Sequence, residues 1–314
     1  MTTTMGRTCA SVALAIATTL TAQSDPQSAP LEVTHGKPFV MVMVNGRGPF
    51  RFVIDTGTGA EAFISPELAD ELALPSAGQV RLSDPTGQGG QRVPLVTIQS
   101  LQVAGVEFTG VKAVRHALSD RDGSCQGLLG FVLFRNYLLT LDYPRRLMTL
   151  ASGALEEDGE RSVLPFRMPD GIPVVPLRIG GLEIDAQIDS GGMGLSLPER
   201  FASQLKFRSD PAFFANSQSL STRFQLKAAV LDSDVQMGGY TFNRPFVEIN
   251  PAFPLANFGS CAMQNFAFTF DQKNALVRFE ASKQTIHLSA TPTPMRIDNA
   301  PEFKNSEPSL VPVG

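Results

Sequence analysis

Asp55 and Asp189 each end an apolar-alternating run and are followed at once by a hydroxyl residue and a glycine, in "FRFVIDTGTG" (50–59) and "EIDAQIDSGG" (183–192). A lone carboxylate on the core phase of a strand is costly unless it is paired, hydrogen-bonded or protonated. Two carboxyls held close together cannot both ionise cheaply, so they share a proton. One can then take a proton from water while the other donates to a carbonyl oxygen, and the pair titrates as a unit. The neighbours suit that chemistry. Gly57 and Gly191 allow a tight turn that brings amide N–H groups toward the carboxylates, Thr56 and Ser190 supply hydroxyls, and Thr58 is expected to add a hydrogen bond to its own carboxylate. In the second run Gly192 offers no such side-chain bond, which is expected to leave the Asp189 side looser.

The elements that must bring these acids together are themselves repeated. "GIPVVPLRIGGLEIDAQIDSGG" (171–192) matches "GKPFVMVMVNGRGPFRFVIDTGTG" (36–59), so that Phe50, Phe52 and Ile54 fall on Ile184, Ala186 and Ile188. Both acids have the same phase on the same kind of strand, each after a Gly-containing hairpin turn. "SLQVAGVEFTGVKAV" (100–114) matches "SDVQMGGYTFNRPFVE" (233–248), and "LLGFVLFRNYLLTLDYPRRLMTL" (128–150) matches "NFGSCAMQNFAFTFDQKNALVRF" (257–279). Ordered blocks with one change of offset between them indicate an internal duplication. Two lobes related by a pseudo-twofold would bring the two turns together at their interface. The expected layout is a lobe over 34–151, an acidic, Gly-containing linker over 152–162, a lobe over 163–287, and a Pro-rich, polar, disordered tail over 289–314. Short bursts of Val, Ile, Phe and Thr between Gly, Pro, Asn and Asp make the class all-β, with six or seven strands per lobe forming β barrels around a cleft.

Asp-Thr-Gly-Thr and Asp-Ser-Gly, each after an apolar strand and each before a later apolar-apolar-Gly stretch, resemble the aspartic proteases. The short lobes and the "LLG…NYLLTLDY" ending look most like bacterial retropepsin-like and pepsin-like members with two copies fused in one chain, over roughly residues 34–287. The resemblance implies that Asp55 and Asp189 are the catalytic pair of an endopeptidase that uses an activated water and no metal or cofactor. It implies that Thr56 and Ser190 cross the lobe interface and hold the two turns. It also implies a flap over an extended peptide, for which "VRLSDPTGQGGQRVPL" (80–95) qualifies, with tip residues Thr86, Gly87, Gly89 and Gly90. The second-copy stretch "SQSLSTRFQLKAAVLD" (217–232) lacks the Gly-rich tip, so one mobile flap is expected. The flap Tyr of pepsin-like enzymes is absent, and Gly192 stands where the family usually has Ser, Thr or Ala. A second reading therefore stays open at this point, a protease-fold protein that binds extended peptides or partner proteins without cleaving them.

Other features bound the function. A formal net charge of −4 gives no basic footprint for nucleic acid. Arg7 followed by "CASVALAIATTL", then "TAQSDP", reads as an export signal over 1–22 for a periplasmic or secreted protein, and the apolar stretch is too short to span a bilayer. The expected mature chain keeps Cys125 and Cys261, which sequence neither pairs nor separates, and the three histidines have no metal-ligand spacing. "GTGAEA" (57–62) fits a dinucleotide pattern, but Pro66 is expected to interrupt the required helix and no βαβ rhythm follows. "GLSLP" (194–198) lacks the closing glycine of a nucleophile elbow. Asp142 and Asp271 repeat as well, yet each opens a turn and reads as structural. The duplication supplies both lobes in one chain, so a monomer acting on extended polypeptide between apolar residues is expected.

Overall fold

The two runs that end in acids are strands, Arg47–Asp55 and Leu182–Asp189, each the second arm of a hairpin with Lys37–Val44 or Val174–Ile179. The turns are Asn45-Gly46 and Gly180-Gly181, and all four residues have positive φ (50°, 74°, 57° and 91°). That is the twist a two-residue hairpin needs, and it explains why Asn and Gly occupy these places. The computed structural model describes residues 25–83, 90–118, 124–218 and 223–288. The expected signal segment, the flap-tip residues Thr86, Gly87 and Gly89, and the 289–314 tail lie outside these.

Each acid strand is flanked on its other side by a parallel strand, Gly127–Gly130 or Ala256–Gly259, which sets Asp55 opposite Gly130 and Asp189 opposite Gly259. The sheet of the first lobe has eight strands and that of the second has ten, more than the six or seven expected. Much of the excess has a simple cause. The first lobe runs Gln91–Val103 and Val106–Arg115 as continuous strands. The second breaks the same two arms into Arg223–Val230 with Val235–Met237, and Tyr240–Phe242 with Phe246–Asn250. Pro245 sits in the second break, where it has no N–H to give a ladder. Each sheet then curls onto its own hairpin, through Met43 and Val44 against Gln102 and Leu101, and through Arg178 and Ile179 against Gln236 and Val235. This closure makes each lobe barrel-like.

A third, six-stranded sheet belongs to both lobes. Its order is Gln27–Pro30, Leu147–Ala151, Leu138–Asp142, Ala267–Asp271, Leu276–Glu280 and Val163–Pro165. At its centre Thr140 faces its own repeat mate Thr269, and their hydroxyls hydrogen-bond at 2.9 Å, so the pseudo-twofold passes between them. The first lobe thus takes in chain before residue 34, with Gln27–Pro30 in the shared sheet and Glu32–Thr34 on the 37–39 strand. Symmetry extends to the turns at the interface. Gly36 lies against Met193 and Cys261, and its mate Gly171 lies against Gly59 and Val132.

One apolar cluster fills both lobes, from Val40, Phe52 and Ile98 through Leu139 to Phe258, Phe266 and Phe279. The linker is tied down by Asp158, whose carboxylate accepts from the N–H groups of Arg161, Ser162 and Val163 and from Ser162 Oγ at 2.6–3.0 Å. Desolvation works the other way, but these four bonds hold that carboxyl down to about 2. Pro66 opens a helix rather than interrupting one. Pro66–Glu71 is capped by Ser65, whose Oγ accepts from Leu68 N at 3.1 Å. Cys125 and Cys261 are not joined to each other by a disulfide. No helix among the described residues is long and apolar enough to cross a membrane.

Candidate active site

The duplicated hairpins deliver Asp55 and Asp189 to one place on the lobe interface, with the Thr56 and Ser190 side chains locked beneath them. Thr56 N donates to Ser190 Oγ and Ser190 N donates to Thr56 Oγ1, both at 3.0 Å. Thr56 Oγ1 donates to Ile188 O at 2.6 Å, and Ser190 Oγ donates to Ile54 O at 2.7 Å. Both residues are fully buried, and these four bonds satisfy each hydroxyl as donor and acceptor. The lock is reciprocal across the pseudo-twofold, as expected for Thr56 and Ser190.

The glycines do two things at once. Gly57 N donates to Asp55 Oδ1 at 2.8 Å, and Gly191 N donates to Asp189 Oδ1 at 2.9 Å. Each glycine also abuts the opposite acid. A Cβ on Gly57 would lie 2.4 Å from Asp189 Cγ, and one on Gly191 would lie 2.3 Å from Asp55 Cγ. Only a residue without a side chain lets the two turns approach this closely. Asp55 is pushed up to about 8, first by burial and then by the neighbouring Asp189 charge, while Lys37 and the Gly57 N–H pull the other way.

Two expectations for this loop are corrected. Thr58 makes no hydrogen bond to Asp55, because its methyl turns toward Gly130, 3.1 Å from where a Cβ there would stand. Nor is the Asp189 side the looser one. Asp189 accepts four donors, with Gly191 N and Gly192 N on Oδ1 at 2.9 and 2.8 Å, and Asn257 Nδ2 and Gln187 Nε2 on Oδ2 at 3.1 and 3.4 Å. Asn257 and Gln187 were not among the residues that sequence reasoning selected. A signal for them existed in the repeat, since Asn257 replaces Leu128 and Gln187 replaces Val53 on the phase that faces the acids. Behind the pair sits Tyr143, whose hydroxyl accepts from Ser260 Oγ at 3.3 Å and whose acidity burial suppresses.

Both copies build a two-stranded hairpin at the place expected of the flap. Ser76–Leu82 pairs with the start of Gln91–Val103, and Ala212–Gln218 pairs with Arg223–Val230. Strand pairing in the arms did not need the Gly-rich tip that only the first copy has. Of the four named tip residues Gly90 alone is described, packed against the Arg81 guanidinium. Among the decoys, Ser196 is buried within strand Leu195–Pro198. Asp142 and Asp271 accept from the N–H groups of Arg145 and Asn274, at 2.9 and 3.1 Å, as turn formers do.

Two β lobes that meet at a pair of Asp-hydroxyl-Gly turns, locked reciprocally across a pseudo-twofold, define the acid-protease class of fold. The aspartyl protease family model matches the chain twice, at residues 40–132 and 175–265, once in each lobe, and the chain belongs to that family. No match was found among curated proteins.

Proposed function

We propose that the protein is an aspartic endopeptidase that hydrolyses extended polypeptide with Asp55 and Asp189 as its catalytic pair. The observation that carries this reading is the reciprocal contact of each carboxyl with the opposite lobe's glycine, which sets two acids against one another at the mouth of the lobe interface. Two such acids hold one proton between them. A water between them loses a proton to the ionised carboxyl as its oxygen attacks the peptide carbon, and the protonated carboxyl donates to the carbonyl oxygen. Collapse of the resulting diol returns one proton to each partner, to the leaving nitrogen from the first acid and back to the second acid from a hydroxyl. The lock formed by Thr56 and Ser190 keeps the carboxyls in place through both halves, so no reorganisation is needed at the moment of reaction.

The backbone of the two hairpins can pair with an extended substrate. The reading includes export through the N-terminal segment, a monomeric enzyme, and cleavage that falls away as pH rises through the ionisation of Asp55 at about 8, because that step removes the general acid. Asp55→Asn and Asp189→Asn should each lower kcat/KM on a diverse peptide library by at least about 10³-fold, with the fold intact by circular dichroism. An amide keeps the shape but cannot exchange the proton. Cleavage by both variants at the parent rate would refute the assignment. A mature N-terminus near Gln23, read by mass spectrometry of protein from the native host, would support export, whereas an intact Met1 or Met5 would oppose it.

A further inference from the structure

The catalytic turns match, but the strands beneath them do not. Val53 and Leu128 are ladder partners under Asp55, whereas their mates under Asp189 are the polar pair Gln187 and Asn257. Their amides put two donors on Asp189 Oδ2 that have no counterpart on Asp55 among the described residues. Gly192 is the condition for this arrangement. A Cβ there would lie 2.2 Å from Asn257 Nδ2 and 2.6 Å from Asp189 Oδ2, so any side chain at 192 would evict the amide. The first copy has Thr58 at that place and an apolar residue, Leu128, instead of the amide. The Oδ1 of Asn257 is buried without a partner among the described residues. An amide held at that cost engages an acceptor that rewards its N–H, and a carboxylate is one.

We propose that Asn257, admitted by Gly192 and assisted by Gln187, is a positioning residue that fixes the single negative charge of the pair on Asp189 and the shared proton on Asp55. The inference rests on the peptidase reading for its consequence in catalysis: Asp189 is the base toward water and Asp55 the acid toward the carbonyl oxygen before substrate arrives. Hydrogen bonds to the charged form favour it, and Asp189 has four where Asp55 has one. The other charged or titratable groups facing the pair do not reverse this. Lys37 favours an ionised Asp55, but burial and the Asp189 charge outweigh it. Tyr143 and Cys261 are held in their neutral forms, Tyr143 by burial and Cys261 by burial and then the Glu248 charge.

The test is a pH titration of the full chain, mature or unprocessed, with aspartate labelled at ¹³Cγ. The two signals are assigned with Asp55→Asn and Asp189→Asn. In the parent, Asp189 should carry the first ionisation of the pair and Asp55 the second. In Asn257→Leu, which installs the first copy's residue, the first ionisation should move up by about one pH unit and divide between both signals. Gly192→Thr should do the same by expelling the amide, and if it fails to fold, Asn257→Leu carries the test. The acid limb of kcat/KM against pH should move with the titration, whereas a purely structural role would lower activity uniformly. Signals that move together in the parent, or a first ionisation unmoved in Asn257→Leu, would overturn the inference and leave the peptidase reading standing. The expected titration in a protein that cleaves no peptide would do the reverse, supporting the charge assignment and removing the peptidase.

Discussion

The two lobes share a topology and differ in almost everything that topology leaves free. The first is built on long continuous strands over a core in which Val40, Val42, Val44, Ile54, Ile64 and Ile98 pack with fewer fully buried rings, Phe52, Phe131 and Phe134. The second interrupts the same strands and fills its core with Phe242, Phe258, Phe266, Phe268, Phe270 and Phe279. What they hold in common lies on the axis: the Thr140 and Thr269 pair, the Thr56 and Ser190 lock, and the glycines against the opposite acids. Positions at which each copy is the other's partner cannot drift alone, because a change in one unsatisfies both. Positions that face only their own lobe can be repacked locally at small cost. Under the acids, with apolar residues beneath Asp55 and amides beneath Asp189, this local freedom reaches the chemistry.

The largest effect on stability that separates the two acids should come from Asp55→Asn. A carboxyl whose folded value is raised from 3.8 to about 8 keeps a proton that the unfolded chain has already released between those limits. Stability therefore falls as pH rises through that window, and the amide, which has no proton to lose, removes the penalty. Asp55→Asn should match the parent near pH 4 and exceed it at pH 8 by up to about 5 kcal/mol, as read by chemical denaturation. Enhanced stability in an inactive variant is the usual signature of a strained catalytic group. A variant less stable than the parent at both pH values would show that Asp55 is held by favourable contacts and not against desolvation.

The cores offer the next comparison. Phe266 is fully buried, with ring centroids of Tyr240, Phe242, Phe258, Phe268 and Phe279 between 5.1 and 6.5 Å away. Its mate Tyr137 is half-buried and has one ring neighbour, Phe108, at 5.7 Å. Phe266→Ala should cost about 4 kcal/mol and Tyr137→Ala about 2 kcal/mol. Equal losses in thermal or denaturant unfolding would mean that the aromatic cluster adds nothing beyond area.

The duplication made the fold and the two acids legible, because periodic apolar strands and a doubled Asp-hydroxyl-Gly turn are local signals. What failed to show was long-range. Gln27–Pro30 has no apolar alternation, and its strand exists only because Leu147–Ala151 offers an edge. Residue type alone gives Thr58 a bond to its acid, yet its methyl is the part that faces inward. Gly192 read as a loss because the gain it permits lies in Asn257, 68 residues from the acid it contacts. The interrupted strands of the second lobe follow from Pro245 and the turn around it, a signal present in the sequence but outweighed by the match of its flanks to the first copy.

The smallest difference concerns the two turn-forming acids. Asp142 is close to a pure turn former, with Oδ1 on Arg145 N at 2.9 Å and Oδ2 near Arg145 Nη1 at 3.4 Å. That ion pair involves an arginine side chain that is 80% exposed, so it contributes little. Asp271 does the same for Asn274 N at 3.1 Å, but its Oδ2 also accepts from Asn274 Nδ2 at 2.7 Å and from Leu155 N at 3.0 Å. Leu155 belongs to the linker and is buried on the second lobe beside Val163 and Leu276. Removing Asp271 therefore strands a buried N–H and loosens the chain between the lobes, whereas removing Asp142 only weakens a turn. Asp271→Ala should destabilise by about 2 kcal/mol and Asp142→Ala by about 1 kcal/mol. Hydrogen exchange should locate the excess, because only Asp271→Ala should speed exchange at Leu155 N–H. If the two variants lose the same stability and Leu155 stays protected in both, the linker is held by its apolar contacts alone and the second acid has gained nothing over its mate.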